Sequence, residues 1–247
     1  MSDAAGGEIG LRSLVRGALG LLPRAPQLVD ALRLGLRSSR TETTSIGSLL
    51  EDRAREYPNR CALRFDDRQW TWAELNAEAN RFAAGFRARG VARGDVVAIM
   101  SENCPELLMA VAGLVKLGAV GALINTLQRG AGLRHSLTVA SVRHATADAH
   151  HVAVLESAAE PSVWPLSEIA TGDGRWNPAS TGVVRAGDPA YYIYTSGTTG
   201  FPKASVCTHL RFVKGGAAIG HALMGLREDD VLYVPLPFFH TLALTMA

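Results

Sequence analysis

The stretch between residues 95 and 124 restricts the fold more than any other part of the sequence. It begins with the short apolar run GDVVAIM, continues through an apolar segment at Pro105–Leu117, and returns to an apolar run at Val120–Ile124. Asn103 is interpreted as the N-cap of a helix that starts at the proline, and Gly118 as the residue that ends it. A strand, a helix and a second strand in this order predict a β-α-β unit with two parallel strands.

The rest of the chain repeats this alternation. We expect an α/β fold of layered sheets with flanking helices, because strands and helices alternate almost throughout and no internal repeat is present. The predicted helices are Ile46–Tyr57, one that runs from a capping box at Thr71 and Glu74 to Gly90, Gly132–Ala140 and Thr208–Met224. The predicted strands are two around a turn at Asp66 and Asp67, one at Val142–Thr146, PAYYIY, and DVLYVPLP.

Composition excludes several classes of protein. The apolar fraction of 47% and the charged fraction of 19% are typical of a folded chain, and a net charge of +2 is too small to indicate nucleic-acid binding. Three scattered cysteines without a C-x-x-C pair argue against a disulfide framework and suit a reducing cytosol. The histidines show no ligand spacing, and His150 and His151 are adjacent, so we expect no metal site.

Two segments raise the question of membrane contact. Leu107–Ile124 has the length of a bilayer span, but Lys116 and three glycines favour a buried helix followed by a strand. Residues 1–42 form a basic amphipathic leader, in which an apolar stripe at helical spacing accompanies six arginines. The leader could lie on an anionic membrane surface through residues 9–40, or dock on the protein itself or on a partner. The first residues are acidic and contain no uninterrupted apolar run with a cleavage site, so we expect no secretory signal.

The stretch YTSGTTGFPK follows the predicted strand PAYYIY directly. A strand, a glycine-rich loop and then a helix bring successive backbone N–H groups together on a phosphate. The stretch is neither a Walker A loop nor G-x-G-x-x-G, and a surface turn with a solvated lysine is the alternative. The candidate phosphate ligands are Thr195, Ser196, Gly197, Thr198, Thr199, Gly200 and Lys203.

The string YTSGTTGFPK resembles the phosphate-binding signature of the adenylate-forming superfamily, which includes acyl-CoA synthetases, luciferases and adenylation domains of peptide synthetases. The segment from TWAELNAEANRF to GALINT and the ending VLYVPLPFFHTLALTMA resemble the same superfamily in the same order. The resemblance covers residues 43–247, which would form the N-terminal part of an AMP-binding (adenylation) domain. PLPFFHTLALT and the basic leader most resemble the branch of fatty-acid transport proteins and very-long-chain acyl-CoA synthetases.

The resemblance implies a reaction in two steps. A fatty carboxylate attacks the α-phosphorus of ATP to give an acyl-adenylate and pyrophosphate, and coenzyme A then displaces AMP, with Mg²⁺ assisting. By position, Thr195 to Gly200 and Lys203 would bind the ATP phosphates, while His240, as a catalytic residue, and Phe239 would line the carboxylate and adenylate side. A hydrogen-bonded core histidine is the alternative for His240. The implied location is cytoplasmic, with peripheral membrane contact through the leader.

Members of the superfamily continue well beyond the PFFH motif, so the sequence predicts the N-terminal portion of such a ligase, truncated and inactive alone. Two alternatives remain open. One is a non-catalytic phosphate-binding fragment or remnant. The other is a membrane-associated protein whose main role is fatty-acid uptake.

Overall fold

The structure of the 247-residue chain is a computed structural model. It describes Pro26, Val29 and residues 39–160, 162–195, 200–227, 229–240 and 243–244. The amphipathic leader therefore lies almost entirely outside the described residues. Contacts divide the chain into two units, one of Ser38–Val213 with Leu232–Ala247 and the other of Met1–Arg37 with Lys214–Val231.

The larger unit alternates helices and strands, as the sequence predicts. In chain order its elements are α1 (Ile46–Glu56), β1 (Cys61–Phe65), β2 (Arg68–Thr71), α2 (Trp72–Ala88), β3 (Val96–Met100), α3 (Pro105–Leu117), β4 (Val120–Leu123), α4 (Gly130–Val139), β5 (His144–Ala147), α5 (Val152–Glu156), β6 (Val163–Pro165), 3₁₀ turns at Leu166–Glu168 and Ala179–Val183, β7 (Pro189–Thr195) and β8 (Lys203–Thr208). Helix α6 (His209–Gly215) follows.

In the smaller unit, a π-helix at Gly216–Met224 ends at Gly225, which is left-handed with φ of 68°. This π-helix and α6 together cover the predicted helix Thr208–Met224 except for Thr208, which is the last residue of β8.

Six strands form the main sheet in the order β6-β5-β3-β4-β7-β8. All neighbouring pairs are parallel except β7 and β8, which are antiparallel. The predicted β-α-β unit is confirmed, because β3 and β4 pair in parallel from Val96 opposite Val120 to Ile99 opposite Leu123. Every residue of β3 and β4 is buried, as expected for strands covered on both faces.

Side chains of β3 alternate between two cores. Val97 and Ile99 pack with α2 and α3 on one face of the sheet, whereas Ala98 and Met100 pack with α4 and α5 on the other. The alternation follows from the period of two in a strand. Two helical layers therefore enclose the sheet, as the layered α/β prediction requires.

Of the two predicted ends of α3, the C-terminal one is confirmed and the N-terminal one is wrong. Gly118 ends the helix as expected, because its left-handed φ of 72° suits a residue without a side chain. The predicted N-cap at Asn103 is wrong, since Cys104 occupies the cap position and makes no side-chain capping bond. None of the helices in the described part of the chain is long and apolar enough to cross a bilayer.

A local signal proves reliable at the start of α2. Thr71 Oγ1 accepts a hydrogen bond from the Glu74 N–H at 3.2 Å, and Glu74 Oε2 accepts one from the Thr71 N–H at 2.8 Å. This is the predicted capping box, which satisfies two backbone donors that the helix itself cannot.

A buried ammonium group joins three helices. Lys116 of α3 is fully buried, and its Nζ donates to Asn76 Oδ1 and Asn80 Oδ1 of α2, both at 2.6 Å, and to Asn177 Oδ1 at 3.0 Å. Glu51 Oε1 of α1 completes the set with an ion pair at 3.1 Å. Burial lowers the pKa of Lys116 to about 8, while Glu51 pulls it upward.

Candidate active site at the carboxyl edge of the sheet

The carboxyl ends of three parallel strands meet at one edge of the main sheet. Strands β3, β4 and β7 are neighbours and end at Met100, Leu123 and Thr195. The chain leaves β4 through α4 and returns to β5 on the far side of β3, so the direction of winding reverses between β3 and β4. In open α/β sheets, ligands bind in the crevice outside such a reversal.

The glycine-rich stretch joins two antiparallel strands, β7 and β8, which form a hairpin at this edge. The sequence predicts a strand, a loop and then a helix, and the strand β8 between loop and helix was missed. β8 pairs antiparallel with β7, and Thr195 lies opposite Lys203 where the hairpin opens into the loop. Of the predicted phosphate ligands, this register brings Thr195 and Lys203 together, whereas Ser196, Gly197, Thr198 and Thr199 lie outside the described residues.

Gly200 occupies a backbone conformation that favours glycine. Its φ is +89°, and a Cβ built there would have no heavy atom within 4 Å. Glycine is therefore favoured at position 200 by the backbone conformation and not by a lack of space for a side chain. Next to it, the ring of Phe201 lies 4.8 Å from that of His135 on α4, which attaches this end of the loop to the helical layer.

The segment that contains the PFFH motif reaches the same edge. Phe238 is buried, Phe239 is half-buried against the main core, and His240 is exposed. The rings of Phe239 and His240 lie 4.9 Å apart. Exposure of His240 disagrees with the alternative of a hydrogen-bonded core histidine and leaves its imidazole open to a ligand.

Asn103 connects this segment to the end of β3. Its Nδ2 donates to the Leu236 carbonyl oxygen, and its Oδ1 accepts from the Phe238 N–H, both at 2.9 Å. The sequence analysis missed this role, because Asn103 lies two positions before a proline and was interpreted as a helix cap. Its true partners lie more than 130 positions away along the chain.

Asp148 after β5 supports the same loop. Its Oδ2 accepts from the Glu102 N–H at 2.9 Å, and its Oδ1 lies 2.7 Å from His151 Nδ1. Burial disfavours the Asp148 carboxylate, but these hydrogen bonds prevail and lower its pKa, so it is ionised at neutral pH.

Spacing between strands gives the scale of the site. Since β4 separates β3 from β7, the hairpin opening and the end of β3 lie about 10 Å apart across the edge. Thr195, Gly200 and Lys203 belong to the hairpin side, and Phe239 and His240 to the side held by Asn103. Among the described residues, no three His, Cys, Asp or Glu side chains converge on a point where a metal ion could bind.

Comparisons with known proteins identify the family of the chain. The family described as AMP-binding enzyme matches residues 50–247. The chain is 40% identical to the medium/long-chain-fatty-acid–CoA ligase FadD6 of Mycobacterium tuberculosis, covering 100% of this chain and 43% of that protein. It is 33% identical to the long-chain fatty acid transport protein 1 of Mus musculus, over 85% of this chain and 36% of that one.

A solved structure gives the same result for the fold. The inhibitor-bound N-terminal domain of FACL13 from Mycobacterium tuberculosis matches with a TM-score of 0.72 and 33% identity, over 81% of this chain and 53% of that one. The chain thus spans less than half of the two curated relatives, and its fold corresponds to the N-terminal part of theirs. A family match over residues 50–247, together with these relatives, shows that the chain belongs to the AMP-binding enzyme family of adenylate-forming proteins.

Proposed function

We propose that the chain is the part of an ATP-dependent fatty acyl-CoA ligase that binds the ATP phosphates and the fatty carboxylate. The observation that carries the proposal is the hairpin opening, where Lys203 lies opposite Thr195 at the carboxyl edge next to the reversal in strand order. Membership of the AMP-binding family and the similarity to FadD6 support the ligase class.

The two sides of the edge have different chemical tasks in this proposal. Lys203 is exposed, so its ammonium is available to phosphate oxygens, and Gly200 leaves its backbone accessible. These groups, with Thr195 to Thr199, would offset the charge that develops on the leaving pyrophosphate. On the other side, His240 and Phe239 would bind the carboxylate and the resulting acyl-adenylate.

Mg²⁺ and coenzyme A are further parts of the proposal. Proteins bind Mg²⁺ through a few carboxylates together with substrate phosphates, so we expect the ion to accompany ATP to the hairpin. Mg²⁺ supplies charge neutralisation on the phosphates. The Lys203 ammonium and the Thr195 hydroxyl are groups that bind phosphate oxygens, and coenzyme A would enter only for the second step.

Binding of an acyl-adenylate mimic tests the proposal on the chain as it exists. A sulfamoyl adenosine with a dodecanoyl chain keeps the adenylate geometry but does not react. We expect calorimetry to show saturable binding that is at least tenfold tighter than for the acetyl analogue, since buried CH₂ groups contribute about 0.8 kcal/mol each. Equal affinity for both analogues would contradict a medium- or long-chain substrate, and no binding of either would contradict the function.

A non-catalytic phosphate-binding chain is the alternative to a ligase. Fatty-acid-dependent exchange between ATP and pyrophosphate separates the two, because it requires formation of the acyl-adenylate. Exchange with palmitate and Mg²⁺ above the level without palmitate would support adenylation by these residues. ATP binding without exchange would favour the non-catalytic alternative for the chain.

Peripheral membrane contact through residues 9–40 also stays a prediction. The similarity to long-chain fatty acid transport protein 1 is the observation that favours testing it. Flotation with anionic vesicles at low salt should recover the intact chain, and removal of residues 1–42 should abolish recovery. Absence of the intact chain from the vesicle fraction would contradict both this contact and the uptake role.

A further inference from the structure

We infer that Asn103 is a positioning residue, whose carboxamide holds the segment of residues 236–240 and thereby sets the place of His240 at the carboxyl edge. The inference rests on the proposed function, since His240 matters only if this edge binds an acyl-adenylate. Asn103 itself touches the segment and not the reacting atoms.

The contact is made by both ends of one carboxamide. Nδ2 donates to the Leu236 carbonyl oxygen and Oδ1 accepts from the Phe238 N–H, each at 2.9 Å. Two hydrogen bonds to backbone groups two residues apart fix both the position and the orientation of the segment. A single bond would allow the segment to pivot.

The chemistry of the position requires an amide. A planar group with one donor and one acceptor at its end satisfies both backbone groups, whereas a carboxylate would place an acceptor against the Leu236 carbonyl oxygen. An apolar side chain of the same size would satisfy neither. Phe238 is only 8% exposed, so a lost partner for its N–H is replaced poorly by water.

Asn103 is itself held from both sides. The preceding residue, Glu102, donates its N–H to Asp148 Oδ2 at 2.9 Å, which anchors the loop to the end of β5. Two residues further on, Pro105 is buried at the start of α3. The carboxamide is therefore presented by the sheet and a core helix, and not by a free loop.

The held segment leads directly to His240. The His240 N–H donates to the Pro237 carbonyl oxygen at 2.9 Å, so a turn connects the residues bound by Asn103 to the histidine. The ring of His240 lies 4.9 Å from that of Phe239, and His240 is exposed. The position of Phe238 thus sets the place of the His240 backbone, from which the imidazole extends.

Hydrogen exchange tests the positioning role without reference to activity. In Asn103→Leu we expect the backbone amides of residues 236 and 238–240 to exchange about tenfold faster, the effect of one lost hydrogen bond. Amides of β3 should exchange at the wild-type rate. Asn59→Ala, which changes an exposed asparagine outside the site, is the control, and Asn103→Ala replaces the leucine variant if that protein does not fold.

Binding of the dodecanoyl sulfamoyl adenosine tests whether this position matters. We expect Asn103→Leu to bind the analogue about tenfold more weakly. In the His240→Ala background the further loss should be clearly smaller than tenfold, because the part of the effect that acts through His240 is already absent and only the part through Phe239 is left. ATP affinity, which depends on the hairpin, should change less than twofold.

The outcomes separate the inference from the proposed function. Wild-type exchange rates at the amides of residues 236 and 238–240 in the Asn103 variants would overturn the positioning role, even if these variants bound the analogue more weakly. Fully additive losses in the double variant would overturn the link to His240. If wild-type protein binds no analogue, the proposed function is wrong, and the exchange rates alone decide whether Asn103 holds the segment.

Discussion

Lys116 and Lys203 have the same side chain in opposite surroundings. Lys116 is fully buried among the amide oxygens of Asn76, Asn80 and Asn177 and the Glu51 carboxylate. Lys203 is exposed where the hairpin opens, and its ammonium makes no hydrogen bond or ion pair within the described residues. The Lys116 ammonium is fully engaged in contacts that join helices, whereas the Lys203 ammonium is available to a ligand.

The comparison explains why composition alone could not locate the site. The chain contains three lysines, at positions 116, 203 and 214, and each is noticeable in an arginine-rich sequence. A buried lysine in a polar cluster is normally structural, because its desolvation must be offset by fixed partners. An exposed lysine keeps its ammonium available for charge-assisted hydrogen bonds to a phosphate.

The largest expected effect comes from removing the buried charge. Lys116→Met should lower the free energy of unfolding by about 3–5 kcal/mol, since it leaves Glu51 and three amide groups without their shared donor. Urea denaturation measures the change. Lys203→Met is the matched control and should change stability by less than about 0.5 kcal/mol. Equal losses in both variants would contradict the distinction between the two lysines.

The pH dependence of stability sharpens the same comparison. The pKa of Lys116 is lowered to about 8 in the folded protein from the ordinary 10.5, so between these values the unfolded chain binds more protons than the folded one. Stability of the wild type should therefore rise with pH in this window, relative to Lys116→Met, by about 1.4 kcal/mol per pH unit. Urea midpoints at pH 7, 8, 9 and 10 would show the divergence.

If the difference in stability between the wild type and Lys116→Met stayed constant over this pH range, the amide oxygens would be keeping the Lys116 ammonium charged. The lowered pKa would then be wrong, although the cluster would still join the helices.

A smaller effect is expected at the hairpin. Gly200→Ala should destabilise the protein by about 1–2 kcal/mol, because φ of +89° is unfavourable for a residue with a Cβ although the space is open. Gly113→Ala is the comparison in the packed helices, where the Cβ would lie 2.8 Å from the Ala83 nitrogen. If Gly200→Ala lowered the free energy of unfolding more than Gly113→Ala, the surroundings of Gly200 would be more tightly packed than described.

The smallest effect on stability is expected at His240. Since its side chain is exposed, His240→Ala should change the free energy of unfolding by less than about 0.5 kcal/mol. The same variant should bind the dodecanoyl analogue about tenfold more weakly if the imidazole contacts the analogue through a hydrogen bond. Thermal shift with and without the analogue separates the two quantities. A loss of stability without a loss of affinity would restore the interpretation as a core residue.

Sequence reasoning succeeded where a feature depends on near neighbours. The capping box at Thr71, the helix end at Gly118 and the parallel pairing of β3 with β4 were all predicted, because each follows from spacing within about 30 residues. The glycine-rich stretch was placed correctly after β7, but β8 was missed because KASVCT is too weakly apolar to indicate a strand.

Features that depend on distant partners were not predicted. Asn103 fits the spacing rule for an N-cap, yet its amide binds residues 236 and 238, and no local pattern reveals this. The expected strand DVLYVPLP is wrong in the described structure, where residues 230–237 pair with no other described strand. Alternation alone cannot supply the partner that a strand requires.

ATP binding by the Lys203 variant tests the central claim most directly. Calorimetry with Mg²⁺–ATP should show saturable binding by the wild type and by Lys214→Ala. Lys203→Ala should lose one charge-assisted contact, about 1.5–3 kcal/mol, which corresponds to an affinity roughly 10- to 150-fold weaker. Unchanged affinity in Lys203→Ala, or equal losses in both lysine variants, would contradict the assignment of the hairpin as the phosphate site.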